Sequence, residues 1–200
     1  MAQWTHYTHS LFRVTPMSVF SQTCQCGECY WEVVDATPGT LVCCYCRSCQ
    51  GAMKHLGLAE TRLNPEGGTL IFQTLPDNFR MIRGTRRLKS FRMTPKGVVR
   101  WYVDCCNTPV ANTIATAALP FVGVILPPDT EVFGPSRNHA FTETALSPVK
   151  QRGMARVGWG VIGRGLLGKL TGRTASPFFE AGHLRVAPEL LSREDREAVI

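Results

Sequence analysis

The stretch Leu88-Lys89-Ser90-Phe91-Arg92-Met93-Thr94-Pro95-Lys96-Gly97-Val98-Val99-Arg100-Trp101-Tyr102-Val103-Asp104-Cys105-Cys106 decides the fold class. Leu88–Met93 and Gly97–Val103 are rich in branched and aromatic residues, the composition of strands. Between them Pro95 presets φ and Gly97 accepts positive φ, so Thr94–Gly97 predicts a turn closing a hairpin. The second strand runs into two adjacent cysteines, where a strand end can present sulfur. Similar short runs lie at Tyr30–Val34, Thr40–Tyr45, Thr69–Thr74 and Phe121–Leu126. The turn-rich segments Thr37-Pro38-Gly39, Asn64-Pro65-Glu66-Gly67-Gly68 and Pro127-Pro128 separate them. Ser48–Leu58 is the one helical candidate in this part. Without long crossover helices the chain reads as mainly β rather than α/β.

Nine cysteines in 200 residues, an odd count, cannot all pair internally. They cluster as Cys24, Cys26, Cys29; Cys43, Cys44, Cys46, Cys49; and Cys105, Cys106. Neighbours one residue apart seldom reach disulfide geometry, and stapled domains spread their cysteines. Close spacing suits thiolates converging on a metal in a reducing compartment. Cys24-Gln25-Cys26-Gly27 places two thiols one residue apart, and Gly27 permits the tight turn a shared ion needs. With Cys106, and Cys105 as the weakest member, these could form a closed zinc site tying the first motif to the last strand. Cys44-Tyr45-Cys46-Arg47-Ser48-Cys49 puts three thiols within six residues. Three protein ligands are the pattern of an open zinc site, whose last position takes water or substrate. Cys43, Cys29 and His55 are alternatives for that position, although Cys43 and Cys29 read first as small buried hydrophobes.

These motifs, C-x-C-G at Cys24–Gly27, C-x-C-x-x-C at Cys44–Cys49 and then Arg100–Pro109, resemble in type and order the glutathione-dependent formaldehyde-activating enzyme family, which includes centromere protein V. The resemblance covers roughly residues 20–126. It implies a zinc-binding β-tent fold and two zinc ions. A structural ion would be held by Cys24, Cys26 and Cys106, and a catalytic one by Cys44, Cys46 and Cys49. It also implies carbon–sulfur lyase chemistry joining glutathione to formaldehyde as S-hydroxymethylglutathione. The chain departs from the family at Val103, where the family has a cysteine, and at Asn107, where it has glycine. Either Cys105 substitutes, or the structural site is three-coordinate or empty. The alternative function is a non-catalytic, zinc-stabilised binding module for nucleic acid or a protein partner.

The rest of the chain bounds these readings. At 44% hydrophobic, 18% charged and a mean hydropathy of −0.04, it can build a sizeable core, which excludes wholesale disorder. The first 23 residues hold no apolar run of signal-peptide length and no stretch approaches a membrane span, so a cytoplasmic location without a span is expected. Residues 1–18 read as an irregular leader with an alternative start at Met17. Residues 19–135 read as the zinc-binding β domain, and 136–200 as a C-terminal, partly helical extension. Arg80, Arg83, Arg86, Arg87, Lys89, Arg92, Lys96 and Arg100 fall in a stretch without Asp or Glu. That strip is read as the solvated face of two strands, with an anionic thiol such as glutathione, or nucleic acid, as alternative partners. Seven thiolates around two Zn²⁺ would lower the formal +7 to about +4, which weakens the case for nucleic acid.

Gly153–Gly172 contains seven glycines among apolar residues and cations. It predicts a helix weakened by about 1 kcal/mol per interior glycine. Packing on the β core is expected, with a membrane surface or a partner as the alternative. Its literal G-x-G-x-x-G, Gly158–Gly163, lacks the preceding strand and βαβ context of a dinucleotide site. Ser192 followed three residues later by Asp195 predicts a capped final helical turn or two.

Overall fold

The computed structural model describes residues 19–34 and 39–200. The leader 1–18, the alternative start at Met17 and Thr37-Pro38 of the first turn lie outside the described residues. The elements are β1 (Val19–Thr23), β2 (Tyr30–Val34), β3 (Thr40–Cys44), α1 (Arg47–His55), α2 (Ala59–Arg62), β4 (Thr69–Thr74), β5 (Phe79–Arg83), β6 (Leu88–Arg92), β7 (Val99–Val103), β8 (Pro109–Thr113), β9 (Val122–Ile125), β10 (His139–Ala140), α3 (Met154–Leu170), β11 (Phe179–Glu180), β12 (His183–Leu184), β13 (Glu189–Leu190) and α4 (Arg193–Val199). The fold is a single, mainly β domain with a helical C-terminal region.

An eight-stranded sheet in the order β10-β3-β4-β9-β8-β7-β6-β13 forms the body. Its six central strands pair antiparallel, and β10 and β13 add in parallel at its edges. A three-stranded sheet, β1-β2-β5, packs across one face. Period-2 alternation decides which side chains enter the space between the sheets. On β7, Val99, Trp101 and Val103 point inward with Trp31, Val33, Phe72 and Val124. Trp101 Nε1 donates to Thr113 Oγ1 at 2.9 Å, and Trp31 Nε1 to Gln22 Oε1 at 2.9 Å, so both buried indoles are satisfied. The opposite face of the large sheet carries the helices and three of the thiols.

The six expected strands all form, Tyr30–Val34 and Thr69–Thr74 with the expected bounds and the other four trimmed by a residue or two. The edge strands β1 and β5 and the interior β8 escape a pattern search because polar or charged residues interrupt the first two and a proline opens the third. The expected helix Ser48–Leu58 runs from Arg47 to His55, and a short second helix follows. The glycine-rich helix forms over 17 residues, and three of its glycines have a packing reason, whereas Gly158 and Gly163 face open space. A Cβ on Gly165 would lie 2.3 Å from Leu119, one on Gly168 2.9 Å from Leu75, and one on Gly160 3.0 Å from Thr40. Ser192 Oγ accepts from the Asp195 N–H at 3.0 Å, so the final helix is capped where the sequence places its cap. Residues 136–200 are built into the sheet at both edges through β10 and β13.

Trp101→Ala removes the largest inward side chain of β7 and strands Thr113. A loss of about 3–5 kcal/mol in urea denaturation is expected, with an unchanged slope. A loss below 1 kcal/mol would show that the sheet interface does not depend on this residue.

Candidate metal centres

Two turns at one end of the molecule bring four thiols together. Cys24 and Cys26 lie in the β1–β2 connection, where Gly27 takes φ +78° and its N–H donates to the Cys24 carbonyl at 2.9 Å. Cys105 and Cys106 lie in the β7–β8 connection, which turns on Asn107 at φ 56°. Asparagine is among the few side chains that tolerate this left-handed region, so it serves where glycine would otherwise be used. The sulfurs of Cys24, Cys26, Cys105 and Cys106 all lie within 4.8 Å of one another. Cys24–Cys26 is 3.5 Å, and Cys24–Cys105 and Cys105–Cys106 are 3.8 Å each. Sulfurs at the corners of a tetrahedron around a metal with bonds of about 2.3 Å would stand about 3.8 Å apart. Val103 is fully buried in the core, and Cys105 occupies the fourth corner.

Hydrogen bonds from the surroundings reach two of these sulfurs, whereas burial and the neighbouring thiols push the Cys105 thiol up. The Cys29 N–H donates to Cys24 Sγ at 3.1 Å. Thr108 Oγ1 lies 3.1 Å from Cys106 Sγ and accepts from the Gln25 N–H at 3.0 Å. Burial works against a charge on Cys106, but hydrogen bonds from the Thr108 hydroxyl and from backbone N–H groups bring its thiol down to about 6. Arg83 donates to the carbonyls of Gly27 and Glu28, and Arg87 Nε meets Glu28 Oε1 at 2.7 Å, bracing the cysteine loop from β5 and the segment after it.

The second cluster lies on the helix-bearing face of the large sheet. Cys44 ends β3, Cys46 caps α1, and Cys49 sits in the first turn of α1 with its N–H bonded to the Cys46 carbonyl at 2.9 Å. Their three sulfurs also lie within 4.8 Å of one another, with Cys44–Cys46 at 3.5 Å. The first turn of α1 holds no acidic residue, so its free N–H groups and the helix dipole favour anionic sulfur.

Arg100 reaches this cluster from β7, opposite its neighbours Val99 and Trp101. It is 4% exposed. Its Nη2 donates to Ser48 Oγ at 2.8 Å and its Nη1 to Asn112 Oδ1 at 3.4 Å, and the two nitrogens face Cys49 Sγ at 3.8 and 3.9 Å. No carboxylate pairs with it among the described residues. An unpaired buried guanidinium would be costly, so the thiol cluster is its counter-charge. If the centre held a divalent ion, three thiolates around it would carry one negative charge, which Arg100 would cancel. Thiol hydrogen bonds from Cys44 and Cys46 hold Cys49 well below the usual thiol range, and the Arg100 charge adds to this. Cys44, which supplies one of those hydrogen bonds, is pushed up.

The three alternatives for a fourth ligand are all placed elsewhere. Cys43 points across β3 toward Asn64, His55 packs on Phe91 with ring centroids 4.8 Å apart, and Cys29 lies beside the four-thiol cluster, 3.8 Å from Cys105. Burial pushes the Cys29 thiol up to about 11. The cationic strip is likewise divided. Arg83 and Arg87 brace the first metal loop, Arg92 bonds the Pro95 carbonyl and Arg100 is internal. Arg80, Arg86, Lys89 and Lys96 remain exposed. Sequence reading missed the role of Arg100 because strand alternation placed it on a face taken to be solvated.

The fold and the two clusters define a mainly β protein with two cysteine centres that could each hold a metal ion, and no helix among the described residues is long and apolar enough to cross a membrane. Residues 16–183 match the family model described as a family of unknown function (DUF6151), and the chain belongs to that family. No curated protein matches it.

Elemental analysis after loading and gel filtration should find two divalent ions per chain. Cys105→Ser should lose about half of the bound metal or bind it at least tenfold more weakly, whereas Cys29→Ser should keep both ions. Equal loss in the two variants would place Cys29 among the ligands. Arg100→Met should weaken metal at the three-thiol centre alone.

Proposed function

We propose that both centres take zinc and that the three-thiol centre is the active site of a carbon–sulfur lyase joining a glutathione-like thiol to formaldehyde or a similar small aldehyde. The observation that carries this reading is the unequal donor count. Four thiols make a closed site, and three leave a position for an exogenous ligand. The likeness of the cysteine motifs to the glutathione-dependent formaldehyde-activating enzymes supports the same division, with Cys24, Cys26, Cys105 and Cys106 as the structural ligands. Zinc fits both donor sets, since thiolates are soft ligands and tetrahedral sulfur sets are its characteristic sites.

The bound ion would supply Lewis acidity that holds an incoming thiol deprotonated near neutral pH. The chain's own residues do the rest. Cys44, Cys46 and Cys49 hold the centre on a rigid strand end and helix start. Arg100 cancels the excess charge without occupying a ligand position. Arg47, exposed beside Cys46, offers a cation to a thiol that carries carboxylates. In the reaction the thiol sulfur forms a bond to the aldehyde carbon, and the thiol proton ends on the former carbonyl oxygen. Nothing is oxidised and nothing leaves. Catalysis is then chiefly proximity and control of thiolate formation.

A second reading, a zinc-stabilised module without catalysis, has its own observation. Met154 and Val157 at the start of α3 pack against the buried group in which Cys44 and Cys49 sit with Val42, Ile71, Ile125 and Ala140. Two clefts lie away from it, one of about 790 Å³ between Glu28 and Arg83–Arg87 and one of about 450 Å³ lined by Tyr45, Asn64 and His139. Exchange NMR on glutathione and formaldehyde separates the two. Zinc-loaded protein should accelerate interconversion over buffer, and Cys46→Ser should abolish the acceleration. Fully loaded protein with no acceleration would favour the module.

A further inference from the structure

The helix α3 is built inside out. Its glycines Gly160, Gly165 and Gly168 face the body of the protein, where the Cβ distances leave no room for larger residues. Five of its large apolar residues face solvent, whereas Met154 and Val157 pack on the body. Trp159 is 73% and Leu170 85% exposed, and Ile162, Leu166 and Leu167 are exposed with them. At 100° per residue these five side chains fall within about 140° of arc, a continuous apolar stripe along the helix. A surface helix ordinarily buries its large apolar side chains and exposes its small and polar ones, so the stripe marks an interaction face.

Charge identifies the partner. From Thr144 to Phe179 there is no Asp or Glu and there are six cations. Arg164 donates to Thr40 and Arg173 pairs with Asp77, whereas Lys150, Arg152, Arg156 and Lys169 are exposed and make no ion pair among the described residues. Lys169 projects at the edge of the apolar stripe near the C-terminal end of the helix, and Arg156 lies in line with the stripe just before Trp159 at the N-terminal end. Against a second copy of the same helix, these cations would meet only cations. Against an anionic lipid surface the stripe enters the acyl boundary while the cations meet headgroup phosphates and carboxylates. We infer that α3 docks the protein, lying in the membrane plane, on a bilayer rich in anionic lipid.

The test is cosedimentation of the full chain with phosphatidylcholine vesicles and with vesicles containing one quarter phosphatidylserine, read alongside tryptophan emission. Binding to the anionic vesicles alone is expected, with a blue shift that Trp159→Phe removes and a marked weakening between 0.1 and 0.5 M salt. Leu166→Ser with Leu170→Ser should reduce partitioning at least tenfold, and Arg156→Gln with Lys169→Gln by about 30-fold. All four side chains are exposed, so the thermal transition should be unchanged. Absence of binding to anionic vesicles, equal binding to both compositions, or a salt-insensitive dimer dissolved by the leucine changes would each overturn the inference. The last would assign the face to a second copy of the chain. The wild-type salt and emission series decides the matter even if a variant fails to fold.

Discussion

Four sulfurs within 4.8 Å of one another cannot all carry charge unless a cation sits among them. That constraint governs this protein. The β1–β2 and β7–β8 connections belong to different sheets, and among their closest contacts are those between thiols. A shared ion there would fasten the small sheet to the large one at the end where strand pairing does not. The supporting groups are arranged for charged sulfur. Backbone N–H groups and the Thr108 hydroxyl point at the cluster, and Arg83 and Arg87 hold the loop that carries half of it.

The same electrostatic logic, with one donor fewer, separates the second centre from the first. Removing a thiolate from a four-sulfur site lowers its negative charge and opens a position. Arg100, on the same face of the large sheet as the three thiols, would complete the balance. A guanidinium is well suited to this task, because it stays protonated in a buried setting and its fork can bond Ser48 and Asn112 while facing sulfur. A centre neutral as a whole can sit against Val42, Ile71 and Ile125 without the desolvation cost of a net charge.

Much of this was legible in the sequence. The hairpin at Thr94–Gly97, the strands around it and the grouping of seven cysteines into two sets follow from periodicity, turn chemistry and spacing. Cys105 could be named as the substitute at the site where Val103 breaks the motif, but only the fold shows Val103 facing the core and Cys105 facing the other sulfurs. Arg100 was visible as a charge and invisible as a partner, since alternation tells which face a residue occupies and not what lies on that face. The glycines of α3 read as a weakness for the same reason. Their value lies in how closely the helix approaches Leu75, Thr40 and Leu119, which no local pattern encodes.

The central claim is that one chain carries a closed and an open thiolate centre. X-ray absorption at the zinc edge on protein loaded with two ions tests it directly. Four sulfurs at one centre and three with a lighter atom at the other predict an average of about 3.5 sulfurs per zinc, with a short nitrogen or oxygen shell. An average of four sulfurs and no lighter shell would contradict an open centre.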